Sequence, residues 1–183
     1  MENNLTQQFV RYGIMVGLLQ VILTVLIYVA GADFFADHMI LFSLMMLGIA
    51  IAISIAIIIR FRKSNDGYMT LKEGFMVTFF TLAIAGLITT AFGIILYHFI
   101  DPEYPKQLAE KAIEATQKMM ERFGASQEDI EKALERQGDM SEKFTIGGQI
   151  RSYLFGLVAY AIYAVILGAI FKRSRPPFEQ TAQ

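Results

Sequence analysis

The chain has 183 residues, a formal net charge of −1 and no cysteine. Without cysteine there are no disulfides, thiolate metal sites or cysteine nucleophiles, and the near-neutral total gives no reason to expect a polyanionic partner. Hydrophobic residues make up 55% of the sequence and the mean hydropathy is +0.46; the excess over a soluble domain's ~45–50% is gathered into blocks, which points to membrane-spanning segments.

Met1–Gln8 is short and polar. Phe9–Gly31 is apolar apart from Arg11, Gln20 and Thr24, so Tyr12–Gly31 is expected to be a first membrane helix with Arg11 at its edge. Ala30-Gly31-Ala32 before Asp33 has the form of a signal-peptidase site, which is the alternative. The apolar run is longer than the roughly 7–15 residues of a signal-peptide core, which favours an uncleaved helix. Asp33–His38 is expected to be a tight polar turn with no Lys or Arg. Met39–Ile59 gives 21 uncharged residues, the second span, ended by Arg60, Arg62 and Lys63. Ser64-Asn65-Asp66-Gly67 carries turn chemistry, because Asn and Asp tolerate left-handed backbone and Gly favours it.

Gly74–Ile100 contains 27 residues without Asp, Glu, Lys or Arg, and His98 is its one readily titratable group. A helix crosses the hydrocarbon core with about 20 apolar residues, so this third span is long enough to tilt or project. The fourth span is expected at Ser152–Phe171, preceded by Arg151 and followed by Lys172, Arg173 and Arg175; Pro176-Pro177 stops any continuation.

Between the third and fourth spans lies 101–151, with eight basic and eleven acidic residues. Asp101-Pro102-Glu103-Tyr104-Pro105 breaks the chain, since Pro is tolerated at a helix start. From Pro105, Leu108, Ala112, Ala115, Met119 and Phe123 fall on one helical face. Gly124 fits a C-cap, and Ser126-Gln127-Glu128-Asp129 fits an N-cap with acids in the first turn. A second helix over 127–137 shows Ile130, Ala133 and Leu134, with Gly138 ending it. So thin a stripe makes no stable core alone, so the hairpin should rest on the membrane helices, on a partner or on itself. It is either a solvated, salt-bridged cap or a docking surface for protein or lipid headgroups, and the excess of acids argues against anionic lipid.

Orientation follows from Lys and Arg in the short loops. The 60–73 loop holds four, the C-terminus three, the N-terminus one and the 33–38 loop none. Both termini and the 60–73 loop are therefore expected to be cytoplasmic, and 101–151 extracytoplasmic.

No charge lies inside any expected span, where pumps, proton relays and voltage sensors normally need one. The mild polar groups there are Gln20, Thr24, Ser43, Ser54, Thr78, Thr81, Thr89 and Thr90; such hydroxyls usually bond their own helix or a neighbour. Gly13/Gly17, Gly48/Ala52/Ala56, Gly86/Thr90, Thr89/Gly93 and Ala164/Gly168 repeat small residues at four-residue spacing, which suits packing of the helices on each other or on a second copy. Asp33, Asp37, His38, His98 and Asp101 all fall near one membrane face and would suit a divalent metal if they met; solvated interface residues are the competing reading. Gly147-Gly148 reads as flexibility at the entry to the fourth span. The sequence has no phosphate-binding Gly loop, His-Glu-x-x-His or nucleophile elbow, and its basic clusters are short and lie beside spans, so nucleic acid has no support.

Gly67-Tyr68-Met69-Thr70-Leu71-Lys72-Glu73-Gly74, with Tyr12-Gly13 and Phe99-Ile100-Asp101-Pro102, resembles a family of uncharacterised bacterial membrane proteins, a domain of unknown function common in Bacteroidetes. Its members look like four-span proteins with a charged insertion before the last helix, to which Met119-Met120 and the acidic helix Ser126–Ala133 are similar in character. The resemblance implies a bacterial inner membrane and supplies no activity, cofactor or catalytic residue.

The sequence thus predicts an all-α integral membrane protein with four transmembrane helices, 12–31, 39–59, 74–100 and 152–171, and an extracytoplasmic helical hairpin within 101–151. No catalytic, cofactor-binding or metal residue is assigned. The expected role is non-enzymatic, as a scaffold or accessory subunit in the lipid bilayer, with a protein partner at the 105–137 hairpin or a homo-oligomer. The alternative is an oligomeric small-solute transporter or channel. Thr78 and Thr81 could then share a path, whereas neighbours Thr89 and Thr90 do not point the same way.

Overall fold

The computed structural model describes residues 2–137 and 140–173. These are 89% helical with no strand. Among the described residues seven α-helices follow one another: α1 Glu2–Ala30, α2 Ala32–Asp37, α3 Met39–Ser64, α4 Leu71–Ile95, α5 Tyr104–Arg122, α6 Gln127–Gln137 and α7 Ile146–Phe171. A π-helical turn, Leu96–Ile100, extends α4, and a 3₁₀ turn, Met140–Phe144, precedes α7. Four helices are long and apolar enough to span a membrane: Leu5–Ala30, Ile40–Ser64, Leu71–Ile100 and Ile146–Phe171.

Each span runs past its expected bounds because polar residues continue the helix beyond the apolar block. Arg60, Arg62 and Lys63 do not stop α3; Arg62 and Lys63 lie in its last turn, where cations oppose the negative end of the helix dipole. Arg151 likewise sits inside α7, which starts at Ile146 because Thr145 caps it, its Oγ1 accepting from Gly148 N at 3.0 Å. At α4 a capping box is complete: Thr70 Oγ1 accepts from Glu73 N at 3.2 Å, and Glu73 Oε2 accepts from Thr70 N at 2.7 Å. The 33–38 turn is a correction, since Ala32–Asp37 forms a short helix after Gly31, whose φ of 90° makes the bend. The 64–67 turn is as expected, with Asp66 and Gly67 both at positive φ.

Cross-connections sort the loops to two ends. At one end Gln8 Nε2 donates to Ser64 Oγ at 3.4 Å, and Met69 and Arg173 exchange backbone hydrogen bonds of 2.9 and 2.8 Å. This basic end collects Arg60, Arg62, Lys63, Lys72, Lys172 and Arg173. At the other end Tyr28 donates to Asp101, and Lys111 pairs with Asp33 at 3.0 Å. That end carries the hairpin of α5 and α6. Gly138, expected to end α6, and Pro176-Pro177 lie outside the described residues.

The bundle is built on α4, which packs along α1 on one side and α7 on the other. Small residues set both seams. A Cβ on Gly13 would stand 2.7 Å from Ile84 Cβ, and one on Gly17 2.9 Å from Ile88 Cδ1. A Cβ on Gly74 would stand 3.0 Å from the Gly168 Cα. The helices touch backbone to backbone there, as small residues permit inside a membrane. Gly148 is also a close-approach residue rather than a flexible entry: a Cβ would run into the Glu142 carbonyl oxygen. The second span, α3, behaves differently. Ile57, Ile58 and Phe61 in its half toward the basic end join a core with Val16, Met69, Val77, Ala85 and Leu167. Toward the hairpin end it stands away from the bundle, and around Gly48 no atom lies within 4 Å of the position a Cβ would take.

Candidate functional site

The five polar residues that would suit a metal do not meet. Asp33 pairs with Lys111. His38 Nδ1 lies 3.1 Å from the Phe34 carbonyl and His98 Nδ1 3.2 Å from the Ile94 carbonyl, each within its own helix. Asp101 is an anchor for α5: its Oδ1 accepts from Glu103 N at 3.2 Å and Tyr104 N at 3.1 Å, while Oδ2 accepts from the Tyr28 hydroxyl at 3.1 Å. Among the described residues no group of three or more His, Cys, Asp or Glu is placed to hold a metal ion.

What these residues build is a latch. Tyr104 stands edge-on to Tyr28 at 4.8 Å and tilted to Tyr97 at 6.3 Å, with Phe144 against Tyr97 at 5.4 Å. Ala32 and Leu108 complete this second core. The hairpin therefore rests on α1, α2 and the end of α4. Burial pushes the Tyr104 phenol up to about 12, helped by the neighbouring tyrosines and Asp101, and its buried hydroxyl has no hydrogen-bond partner. Beyond the latch, α5 reaches over the exposed start of α3. Lys118, Arg122, Met119 and Phe123 line a groove there with Leu41 and Leu44. Glu114, paired with Lys111, lines the same groove, while Glu110 and Glu121 lie off the arc of Lys118 and Arg122 at 100° per residue.

The stand-off of α3 leaves a cleft inside the bundle. A cavity of about 520 Å³ lies between α1, α3, α4 and α7 and is lined chiefly by Val16, Leu23, Ala50, Ile53, Leu82 and Ala159. Thr78, Thr81, Ser54 and Tyr163 border it. A second cavity, about 540 Å³, continues toward the hairpin end and shares Gln20, Leu23, Met46 and Tyr160 with the first. Thr89 and Thr90 border this second space. Thr89 is occupied, donating to Gln20 Oε1 at 2.8 Å and lying 2.9 Å from the Ala85 carbonyl. The four threonines thus divide into two pairs along one passage. At the basic end the passage is stopped by Ile57, Ile58, Met69 and Val77.

The hydroxyls that border the cavity are not equivalent. Ser54 returns its hydrogen to the Ala50 carbonyl at 2.8 Å, and Thr81 reaches the Phe9 carbonyl at 3.5 Å. Thr78 Oγ1 and the Tyr163 hydroxyl are buried and have no partner. Composition marked Thr78 as a mild polar group in a span; nothing in the sequence distinguishes it from Thr89, because its missing bond depends on how the helices pack.

Four long apolar helices, with the 64–70 loop at a basic end and a polar hairpin at the other, define a multi-pass helical membrane protein. Residues 11–173 match the family described as Protein of unknown function (DUF4199), and the chain belongs to that family. No curated protein and no solved structure matches it.

Proposed function

We propose that this is a non-enzymatic membrane protein that works in an assembly, as a scaffold or accessory subunit, through the back of α3. One observation carries this reading. The small-residue stripe Gly48/Ala52/Ala56 was expected to pack the helices of the chain on each other, as Gly13, Gly17, Gly74 and Gly168 do. On α3 it does not: Gly48 meets nothing, and Ala52 and Ala56 are exposed. At 100° per residue this stripe lies opposite Ser54 and Ile57, which face the bundle. Small residues let another helix approach closely, and in lipid such close packing drives association. The exposed, amphipathic hairpin over 105–137 adds a second surface, with Phe123 82% exposed at its tip.

The chain has no cysteine, so a single Ala52→Cys can be oxidised in native membranes. An adduct of two chains gives a homo-oligomer, and an adduct with another protein gives an accessory subunit. Absence of any adduct, with Gly48→Leu leaving the particle mass in mild detergent unchanged, overturns the reading. For location, the proposal is the bacterial inner membrane with both termini cytoplasmic, supported by the basic residues gathered at one end. Ala125→Cys should then react with an impermeant maleimide on intact spheroplasts; protection until lysis would invert the orientation.

Small-solute transport is the second reading. It is supported by the joined cavities, with Thr78 and Thr81 in one and Thr89 and Thr90 in the next. Flux through reconstituted liposomes, lost when Ala159→Phe fills the first cavity, is the expected result; flux indifferent to that change would remove this reading.

A further inference from the structure

Beyond the latch, α5 overhangs the place where a span enters the membrane. Lys111, Lys118 and Arg122 follow at spacings of seven and four, and Ala115, Met119 and Phe123 at spacings of four, so the two sets form neighbouring stripes on α5. Both stripes line a groove of about 780 Å³ whose floor is Ile40, Leu41 and Leu44 of α3. The span of α3 begins at Ile40, and these three side chains are 52%, 64% and 63% exposed. In a bilayer they meet the top of the acyl chains, while the charged ends of Lys118 and Arg122 reach headgroup level.

The charges around this groove are unequally used. Toward the latch, Lys106 pairs with Glu103, and Lys111 pairs with both Asp33 and Glu114. Glu114 lies four residues before Lys118, the order and spacing that favour an ion pair, yet it is taken by Lys111. Glu121 accepts from Gln117 Nε2 at 3.1 Å. Among the described residues neither Lys118 nor Arg122 has an ion pair, and neither does Asp37 of α2, which lines the same groove.

Two adjacent cations over an apolar floor call for an anion carried on hydrocarbon. A phosphate suits them, since Arg holds it through a planar fork of donors and Lys as a point charge. A free phosphate would leave the floor uncovered, and an uncharged lipid would leave the cations unpaired. The groove has no net charge, with Asp33, Asp37 and Glu114 against Lys111, Lys118 and Arg122, so nothing draws a headgroup with an excess of negative charge. The unpaired carboxylate of Asp37 instead favours a headgroup that carries an ammonium beside its phosphate.

We propose that this groove holds a phosphoethanolamine phospholipid from the leaflet at the hairpin end. Its phosphate lies on Lys118 and Arg122, its ammonium toward Asp37 and its acyl chains along Ile40, Leu41 and Leu44. The lipid then fills the space between α5 and α3, which leaves the outer side of the hairpin to a protein partner.

The test uses the full chain, stripped of lipid in mild detergent, and native mass spectrometry. Dioleoyl-phosphatidylethanolamine, dioleoyl-phosphatidylglycerol and dioleoylglycerol are titrated; they share acyl chains and differ in headgroup. One equivalent of the phosphatidylethanolamine is expected to be retained, about threefold or more tighter than phosphatidylglycerol and about tenfold or more tighter than dioleoylglycerol. Lys118→Gln with Arg122→Gln, both at exposed positions, should weaken its retention about tenfold and leave the melting temperature of the lipid-free chain unchanged. Asp37→Asn should erase the preference over phosphatidylglycerol. Arg60→Gln with Lys63→Gln, at the basic end, should change nothing. Four results overturn the proposal: dioleoylglycerol retained equally, phosphatidylglycerol retained as tightly as phosphatidylethanolamine or more so, indifference to the Lys118 and Arg122 changes, or an equal loss from the basic-end changes. None of them bears on cross-linking at Ala52, so this site and the assembly reading fall separately.

Discussion

Two pairs of helices in this bundle carry the same kind of sequence and behave differently. The α1–α4 seam closes with Gly13 and Gly17 under the side chains of Ile84 and Ile88, and the α4–α7 seam closes backbone to backbone at Gly74 on Gly168. The span α3 has an equally apolar sequence and its own Gly48/Ala52/Ala56 repeat, yet it joins the bundle through its half near the basic end, at Ile53, Ser54, Ile57, Ile58 and Phe61. Lipid solvates apolar side chains as well as a neighbouring helix does, so hydrophobicity does not pull α3 inward. Shape decides. Where glycine faces a side chain that fits over it, the helices close; where Tyr160, Tyr163 and Ile53 prop the space between α3 and α7, a cleft remains.

The closed seams are where substitution should do most damage. Gly168→Leu would drive a side chain into the Leu71 carbonyl, 3.1 Å from even a Cβ. It is expected to destabilise the folded chain by about 3 kcal/mol, measured by equilibrium unfolding in mixed detergent micelles. If the loss is near zero, the close approach of α4 and α7 is wrong.

The latch holds α5 to the closed side of the molecule, through Tyr28 of α1 and Tyr97 at the end of α4. Tyr104 keeps its proton in the folded chain to about 12, against 10.0 for its ordinary value. Below pH 10 both folded and unfolded chains hold that proton and stability is flat. Between 10 and about 12 the unfolded chain ionises first, so stability falls as pH rises, by on the order of 2 kcal/mol. Tyr104→Phe should flatten that stretch of the melting-temperature profile while leaving the neutral-pH value unchanged or higher, since the lost hydroxyl had no partner. A profile that Tyr104→Phe leaves equally steep would place the titration elsewhere.

On the open side the signs change. Thr78→Val removes a buried, unpaired hydroxyl without changing shape and should stabilise the ligand-free chain by about 1 kcal/mol in the same unfolding assay. A loss of that size instead would mean the hydroxyl has a partner. Smallest of all, Gly48→Leu should change the stability of the isolated chain by less than about 0.5 kcal/mol, because the position is exposed and nothing lies within 4 Å of where its Cβ would stand. A loss comparable to that of Gly168→Leu would show that α3 is packed there after all.

Much of the fold was legible in the sequence because lipid imposes a simple rule. Every backbone group must bond within its helix, so four apolar blocks become four helices. The hairpin was legible too: α6 falls on 127–137, Gly124 has the positive φ of a C-cap, and Ser126 caps Asp129 N at 3.2 Å. Helix ends were less so. Hydropathy marks where lipid contact stops, whereas Thr70 with Glu73 and Thr145 with Gly148 mark where the hydrogen-bond ladder starts. The T-x-x-E spacing at Thr70 was a usable sign of that start. The candidate site was almost illegible. Thr78, Thr89 and Thr24 look alike in sequence, and only packing leaves Thr78 unpaired while Thr89 meets Gln20. The metal-like set Asp33, Asp37, His38, His98 and Asp101 shared an end of the molecule without sharing a point. Asp33, His38, His98 and Asp101 each met a nearer partner, Asp101 above all, which fixes the start of α5.

The separation of α3 from the closed helices underlies both the cleft and the uncovered stripe, and paired cysteines in native membranes test it most directly. Gly17→Cys with Ile88→Cys joins α1 to α4 across a seam where the two Cβ positions lie 3.0 Å apart. Ala50→Cys with Ala159→Cys faces across the cavity between α3 and α7. Under mild oxidation the first pair should close within the chain, since its Cβ atoms need only part slightly to reach the about 3.5–4.5 Å of a disulfide, and the second, set across the cavity, should stay open. Closure of the second pair as readily as the first would mean that α3 packs onto the bundle along its whole length, with neither cleft nor stand-off.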